Sequence, residues 1–416
     1  MNKAYRYVCL GLTALSLTLP ACSKKTEDVY EDIGAIDSPA PSEALLPDKT
    51  EEPAALVLFT NYLLPPPVSF TALAPTVRGI YVSSHRAGGS EYLQQLMDFC
   101  HESDVNAMVI DVRTEKGEIT FKGMKMADDL GVSVNNIPNI RDTLQKIKDN
   151  GIYLIARFVA FKDSNTHNIR PDLYIHNKDG SIWLDPNGVP WLNPYNPDAR
   201  AYVLDLAKGA AEVGFEEIQF DYIRFAASSR LENADFGDTR GLSRTQIIEA
   251  FARQAMDTLK PYGVMVSADV YGTIINSDQD AAIVGQDYVE LAKILDVICP
   301  MVYPSHYANG SMGLDIPDLV PYDTIYRAME LSNERLAVIP DGEHCAIVRP
   351  WLQDFTATWL KSYLRYSSAE RAAQIQGAYD AGLTQWLLWD PSNEYQIGGT
   401  QGEPDRKLAS GNTAAN

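Results

Sequence analysis

The sequence is poor in the groups on which metal and disulfide chemistry depend. Five cysteines are spread over 416 residues without a C-x-x-C pair, and six histidines form neither H-x-H nor H-E-x-x-H. A zinc or binuclear metallohydrolase centre is therefore not expected, and no metal or other cofactor is called for. Cys9 and Cys22 fall in the N-terminal leader, while Cys100, Cys299 and Cys345 suit buried free thiols rather than a disulfide framework. Positive charge is short as well. The formal net charge is −20, and removal of a leader carrying Lys3 and Arg6 makes it more negative. Nucleic acid is excluded as a partner, because phosphate binding needs a basic surface. No G-x-G-x-x-G follows the first apolar strand, which weakens a doubly wound dinucleotide-binding sheet.

What is present is a repeated pattern of apolar strand, polar strand end and amphipathic helix. Its clearest instance is Glu216-Glu217-Ile218-Gln219-Phe220-Asp221-Tyr222-Ile223-Arg224-Phe225. Side chains alternate faces on a strand, so Gln219 and Asp221 share one face and Ile218 and Phe220 the other. Strands are expected near residues 77–82, 107–112, 153–159, 218–221, 264–269, 297–303, 346–351 and 384–389. Between them, residues 91–102, 140–150, 198–213, 244–260 and 369–381 have helical periodicity. Eight such alternations over roughly 320 residues predict a (β/α)8 TIM barrel, with a doubly wound open sheet as the alternative. Residues 163–197 form a long insertion after strand 3. Its Asn177-Lys178-Asp179-Gly180 and Asp185-Pro186-Asn187-Gly188 turns predict a small β-hairpin over the rim.

In such a barrel the functional groups gather where the C-terminal strand ends meet. The candidates there are Asp111 and Arg113 after strand 2, Arg157 on strand 3, Asp221 and Arg224 after strand 4, and Asp269 after strand 5. Tyr303 and His306 follow strand 6, Trp351 and Gln353 follow strand 7, and Trp389 and Asp390 follow strand 8. Two carboxylates in one mouth are what glycoside hydrolysis needs, one to protonate the leaving oxygen and one to attack the sugar or activate water. Asp221 is the expected nucleophile or base, kept ionised by Arg224, and Asp269 the expected acid. The plain alternative for any strand-end aspartate is a helix cap or loop ion pair, and Asp111 is equally placed to stiffen the mouth through an arginine. Trp183, Trp191, Trp351 and Trp389 are candidate platforms for sugar rings, with packing of the insertion as the alternative for Trp183 and Trp191. His306 and His344 read as polar rim residues.

These residues also carry a family resemblance. The run Trp191-Leu192-Asn193-Pro194-Tyr195-Asn196-Pro197-Asp198-Ala199-Arg200-Ala201-Tyr202, followed by Gln219-Phe220-Asp221-Tyr222-Ile223-Arg224-Phe225, resembles a bacterial glycoside-hydrolase-like domain family related to the α-amylase-like barrels. Arg78-Gly79-Ile80-Tyr81-Val82, Ile110-Asp111-Val112-Arg113, Ser267-Ala268-Asp269-Val270-Tyr271-Gly272, Pro300-Met301-Val302-Tyr303-Pro304-Ser305-His306-Tyr307 and Arg349-Pro350-Trp351-Leu352-Gln353-Asp354-Phe355 extend it over residues 78–395. The resemblance implies a barrel and a glycosidase acting on a carbohydrate, and supports Asp221 as nucleophile. Amylase-like enzymes carry a glutamate acid after strand 5 where this chain has Asp269, which keeps Asp111 and Asp390 open as substitutes.

Lys3 and Arg6 precede an apolar run at residues 8–19 that is too short to cross a bilayer with ease. It ends at Leu19-Pro20-Ala21-Cys22, which resembles a bacterial lipoprotein signal cleaved before a cysteine to be lipidated. An ordinary secretory signal is the alternative, since Pro20 is unusual there. The expected plan is a signal at 1–22, a flexible acidic linker at 23–53, an extension packing on the barrel at 54–76, the barrel at 77–396 and a disordered tail at 397–416. The expected location is outside the cytoplasm, on a membrane reached through the lipid on Cys22. Two other functions remain: a cell-surface carbohydrate-binding protein without chemistry, and a peptidoglycan-directed hydrolase.

Overall fold

The computed structural model describes residues 76–400. The signal, Cys22, the linker, residues 54–75 and residues 401–416 lie outside the described residues. Every strand of the main sheet pairs in parallel: β1 (Arg78–Val82), β2 (Ala107–Arg113), β3 (Tyr153–Val159), β4 (Glu217–Asp221), β5 (Met265–Tyr271), β6 (Val297–Met301), β7 and β8 (Trp386–Trp389). β7 consists of two short pieces, Ile347–Val348 paired with β6 and Trp351–Gln353 paired with β8. Trp351 also pairs with Met301 of β6, which closes the barrel. The interruption falls at Arg349-Pro350, where proline has no N–H to give to a ladder.

Helices alternate with the strands: α1 (Ser90–His101), α2 (Ile140–Asp149), α3 (Pro197–Val213), α4 (Arg244–Leu259), α5 (Tyr288–Ala292), α6 (Pro321–Leu336) and α7 (Ser368–Asp380). Local chemistry starts several of them. Asn196 caps α3 with Pro197 in its first turn, and Ser243 with Gln246 and Ser367 with Glu370 form capping boxes on α4 and α7. Each satisfies N–H groups that a helix start leaves unpaired. The closed parallel barrel with its surrounding helices is the expected (β/α)8 architecture.

At the two expected turns the insertion folds back on itself through single antiparallel bridges, His176 with Ile182 and Leu184 with Pro190. Both turns are present, with Gly180 N–H on the Asn177 carbonyl at 2.9 Å and Gly188 N–H on that of Asp185 at 3.0 Å. His176–Asn177 also pairs antiparallel with Ala234–Asp235, from the loop between β4 and α4, so the insertion is strapped to a second loop. Trp183 and Trp191 are buried. Their indole N–H groups go to the Arg230 carbonyl (3.3 Å) and to Asp185 (2.9 Å), so they pack this strap and are not platforms.

Inside the barrel, Val109, Ile155, Val297, Cys299 and Leu387 form an apolar cluster. A polar thread runs through it. Arg349 and Glu217 make a fully buried ion pair at 2.8 Å, Ser267 donates to Glu217 at 2.5 Å, and Arg349 Nε donates to Gln385 at 2.8 Å. On β4 the alternation thus places Glu217 low, Gln219 in the middle, donating to Cys299 Sγ at 3.2 Å, and Asp221 at the mouth. Cys100 and Cys299 are buried thiols, whereas Cys345 is exposed, against expectation, because it precedes β7 at the end opposite the mouth. His344 lies at that same end and bonds the Leu295 carbonyl, so it is not a mouth-rim residue.

Candidate active site

Arg157 is the hub of the mouth. It points inward from β3 and is almost wholly buried, with 4% of its side chain exposed. Its Nε and Nη2 hold one oxygen of Asp221 at 2.9 and 2.5 Å, its Nη1 holds Asp111 at 2.7 Å, and Nη2 also reaches Glu115 at 2.5 Å. A planar guanidinium can serve several carboxylates at fixed angles, which a lysine cannot. The other Asp221 oxygen accepts the Tyr222 backbone N–H at 2.6 Å. Asp221 is therefore ion-paired inside the mouth, and its partner is Arg157 rather than Arg224.

Burial raises the pKa of Asp111, an effect that the Arg157 charge opposes and that of Glu115 reinforces. The Tyr81 hydroxyl donates to Asp111 at 2.6 Å. Burial and the Asp111 charge push the Tyr81 phenol well above its usual value, so it stays a donor. Burial works against Glu115 too, but the charge and hydrogen bond of Arg157 outweigh it and hold that carboxyl below its usual range. Glu115 is the most open member, with 39% of its side chain exposed. Glu115 sits in a loop outside any strand pattern, and sequence reasoning missed it.

Asp269 has the opposite environment. It points inward from β5, and burial followed by the Asp221 charge pushes its pKa well above the usual carboxylate range. The Trp351 indole N–H donates to its Oδ1 at 2.7 Å and partly offsets that rise. Beside it, Gly272 lets the end of β6 approach: a Cβ there would lie 2.6 Å from the Met301 carbonyl oxygen. Trp389 stacks on Tyr81 with centroids 4.1 Å apart, meets Trp351 edge-on at 5.6 Å, and lies 5.4 Å from the Arg157 guanidinium. The mouth thus brings together Asp111, Arg157, Asp221, Asp269, Tyr81, Trp351 and Trp389.

Several expected mouth residues serve other purposes. A register shift between Asp111 and Arg113 in the β2–β3 pairing turns Arg113 off the inward face. It is fully buried against the Phe158 and Tyr202 rings, where it pairs with Asp163 and the Val159 carbonyl. Arg224 donates to the Phe225 carbonyl and lies over the Tyr222 and Tyr271 rings at 4.7 and 4.5 Å. The chain turns away from β4 at Tyr222, whose φ of 49° is rare for a bulky residue. Gln353 is buried, accepts the Ser305 N–H at 3.0 Å and donates to Asp318 at 3.1 Å, tying rim loops together rather than facing the mouth. Asp390 accepts from Ser392 and the Glu394 N–H, so it closes its own turn and is unavailable as an acid. Tyr303 and His306 are buried and meet edge-on at 5.1 Å. Burial lowers the His306 pKa to about 3, which keeps the ring neutral. Among the described residues no three His, Cys, Asp or Glu side chains group as a metal site.

The fold is shared with a solved structure. The glycoside hydrolase domain of PgaB (BpsB) from Bordetella bronchiseptica matches with a TM-score of 0.56 at 13% identity, over 76% of this chain and 94% of that one. A hypothetical protein from Ruminiclostridium thermocellum ATCC 27405 is 33% identical over 46% of this chain and 97% of that one, with a TM-score of 0.42. The α-galactosidase TtGalA from Thermus thermophilus matches 76% of this chain and 58% of that one at 16% identity and a TM-score of 0.46. No curated protein matches. The family model described as "Putative glycosyl hydrolase domain" matches residues 79–395, and the chain belongs to that family.

Proposed function

We propose that the mouth cleaves an O-glycosidic bond of an oligo- or polysaccharide with Asp269 as acid and Asp221 as nucleophile or base. The observation that carries this reading is the contrast between two neighbouring carboxyls: Asp221 is ion-paired to Arg157, while burial and the Asp221 charge push the pKa of Asp269 up. A carboxyl with a raised pKa suits the acid role, and one paired with a cation suits the nucleophile or base role. Asp269 gives its proton to the leaving glycosidic oxygen. Asp221 either attacks the anomeric carbon or takes a proton from the water that does. Arg157, itself held by Asp111, fixes Asp221, and Trp389 with Tyr81 offers a ring surface to the sugar.

The engagement of both Asp221 oxygens favours a second reading, a carbohydrate-binding mouth without cleavage. Asp221→Asn and Asp269→Asn decide between them, assayed on defined α- and β-linked oligosaccharides and purified cell wall, with product anomers followed by NMR. Hydrolysis requires each substitution to lower turnover by about 10²- to 10⁴-fold while glycan binding persists. A wild-type protein that binds glycan and cleaves nothing supports the second reading. The enzyme's place is proposed to be the outer side of a bacterial membrane, through the lipid on Cys22. Retention of the wild-type chain in the detergent phase, lost in Cys22→Ala, tests that.

A further inference from the structure

Beyond Gln353, on the same rim as Asp221 and Asp269, the loop after β7 carries a second aromatic surface. The Phe355 and Trp359 rings stack with centroids 5.9 Å apart and planes 24° apart. His306 meets both edge-on, at 6.1 and 6.4 Å, and Tyr303 meets Phe355 at 6.0 Å. Tyr303 belongs to the same interior cluster as Trp351, whose indole binds Asp269. A line of contacting rings therefore leads from Tyr303, through Phe355, to Trp359 at the rim. Exposure rises along it, from 5% at Tyr303 to 47% at Trp359.

The loop is held in place. Ala357 is fully buried, Tyr366 N–H bonds the Thr356 hydroxyl at 3.1 Å, and Leu364 N–H bonds Asp318 at 3.0 Å. His306 is neutral and adds no charge to the wall. Scattered exposed apolar residues are ordinary, but a braced, half-exposed indole continuous with a buried aromatic line presents a fixed flat face. The apolar face of a pyranose ring stacks on such a surface.

We propose that Trp359, backed by Phe355 and His306, is a remote sugar subsite, so that the substrate is a glycan with sugar units beyond the two flanking the cleaved bond. The occupant is another ring of the same chain. This rests on the glycosidase reading above.

The test uses α-1,4-glucan, β-1,4-glucan and chitin oligosaccharides, each from disaccharide to hexasaccharide, with the wild type, Trp359→Ala and Trp359→Phe. For the series that is cleaved, the hexasaccharide-to-disaccharide ratio of kcat/KM should fall about tenfold in Trp359→Ala, as loss of one ring stack implies. Trp359→Phe should restore part of it. An unchanged ratio overturns the subsite and leaves the hydrolase reading standing. If the wild type cleaves none of them, calorimetry with the hexasaccharides decides. Weaker binding by Trp359→Ala supports the sugar-ring contact at Trp359, and equal or absent binding overturns it. A concentration-dependent dimer lost in Trp359→Ala, seen by light scattering, would show that a second copy covers the indole and overturn the proposal.

Discussion

Arg157 holds the same Asp221 oxygen with both Nε and Nη2, at 2.9 and 2.5 Å. Three carboxylates share this one cation, so its removal leaves Asp111, Glu115 and Asp221 facing each other in a poorly solvated mouth. Arg157→Met should destabilise the fold by about 3–5 kcal/mol, the usual cost of orphaning a buried charge, and abolish turnover. Arg157→Lys should recover part of the stability without the activity, because a point charge cannot reproduce the fork. Urea midpoints and kcat/KM measured together check both; an active Arg157→Met enzyme would remove the clamp from the mechanism.

Asp269 must be protonated to act as an acid, so activity should fall as pH rises through its raised pKa. Trp351 donates to that carboxyl and thereby favours its charged form. In Trp351→Phe the donor is gone, the pKa moves further up, and the alkaline limb of kcat/KM should shift to higher pH. A limb that stays put or moves down would exclude Asp269 as the acid.

Arg113 separates structural from functional arginines. It lies behind the β2 bulge with Asp163, away from the mouth. Arg113→Met should lower the urea midpoint while leaving the KM of the surviving folded protein unchanged. A raised KM with normal stability would restore it to the substrate.

Both side chains of the Glu217–Arg349 pair are fully buried, so bulk solvent does not reach them to replace a lost partner. Glu217→Ala should cost about 3–5 kcal/mol, whereas replacing both residues by methionine should cost less than the sum of the single changes. An additive double mutant would show that the two charges do not depend on each other.

Residues whose placement follows from strand alternation were legible in the sequence. Asp221 and Asp269 could be put on inward faces because Phe220 and Ala268, their neighbours, are apolar and face the helices. Arg113 could not, because the shift that turns it depends on how β2 registers against β3, a property of two strands at once. Arg157 was named, but its role as hub needed Glu115, which no strand pattern places. Trp359 escaped for the same reason: it lies in a turn outside any strand or helix, and only its contacts with Phe355 and His306 mark it. α6 was not picked out in the sequence, although its helical span Pro321–Leu336 is as long as that of α4. The split in β7 was visible as Pro350 but not read as a break.

That split makes β7 the natural site of breathing. Its two pieces are each stitched by only a few backbone bonds, and opening one admits solvent beside Trp351. Water reaching Asp269 would weaken the burial that raises its pKa, so activity should fade on heating while most of the barrel stays intact. Amide exchange that begins at residues 347–353, together with inactivation several degrees ahead of the global melt, would be the signature of a barrel whose weakest stave also shelters Asp269.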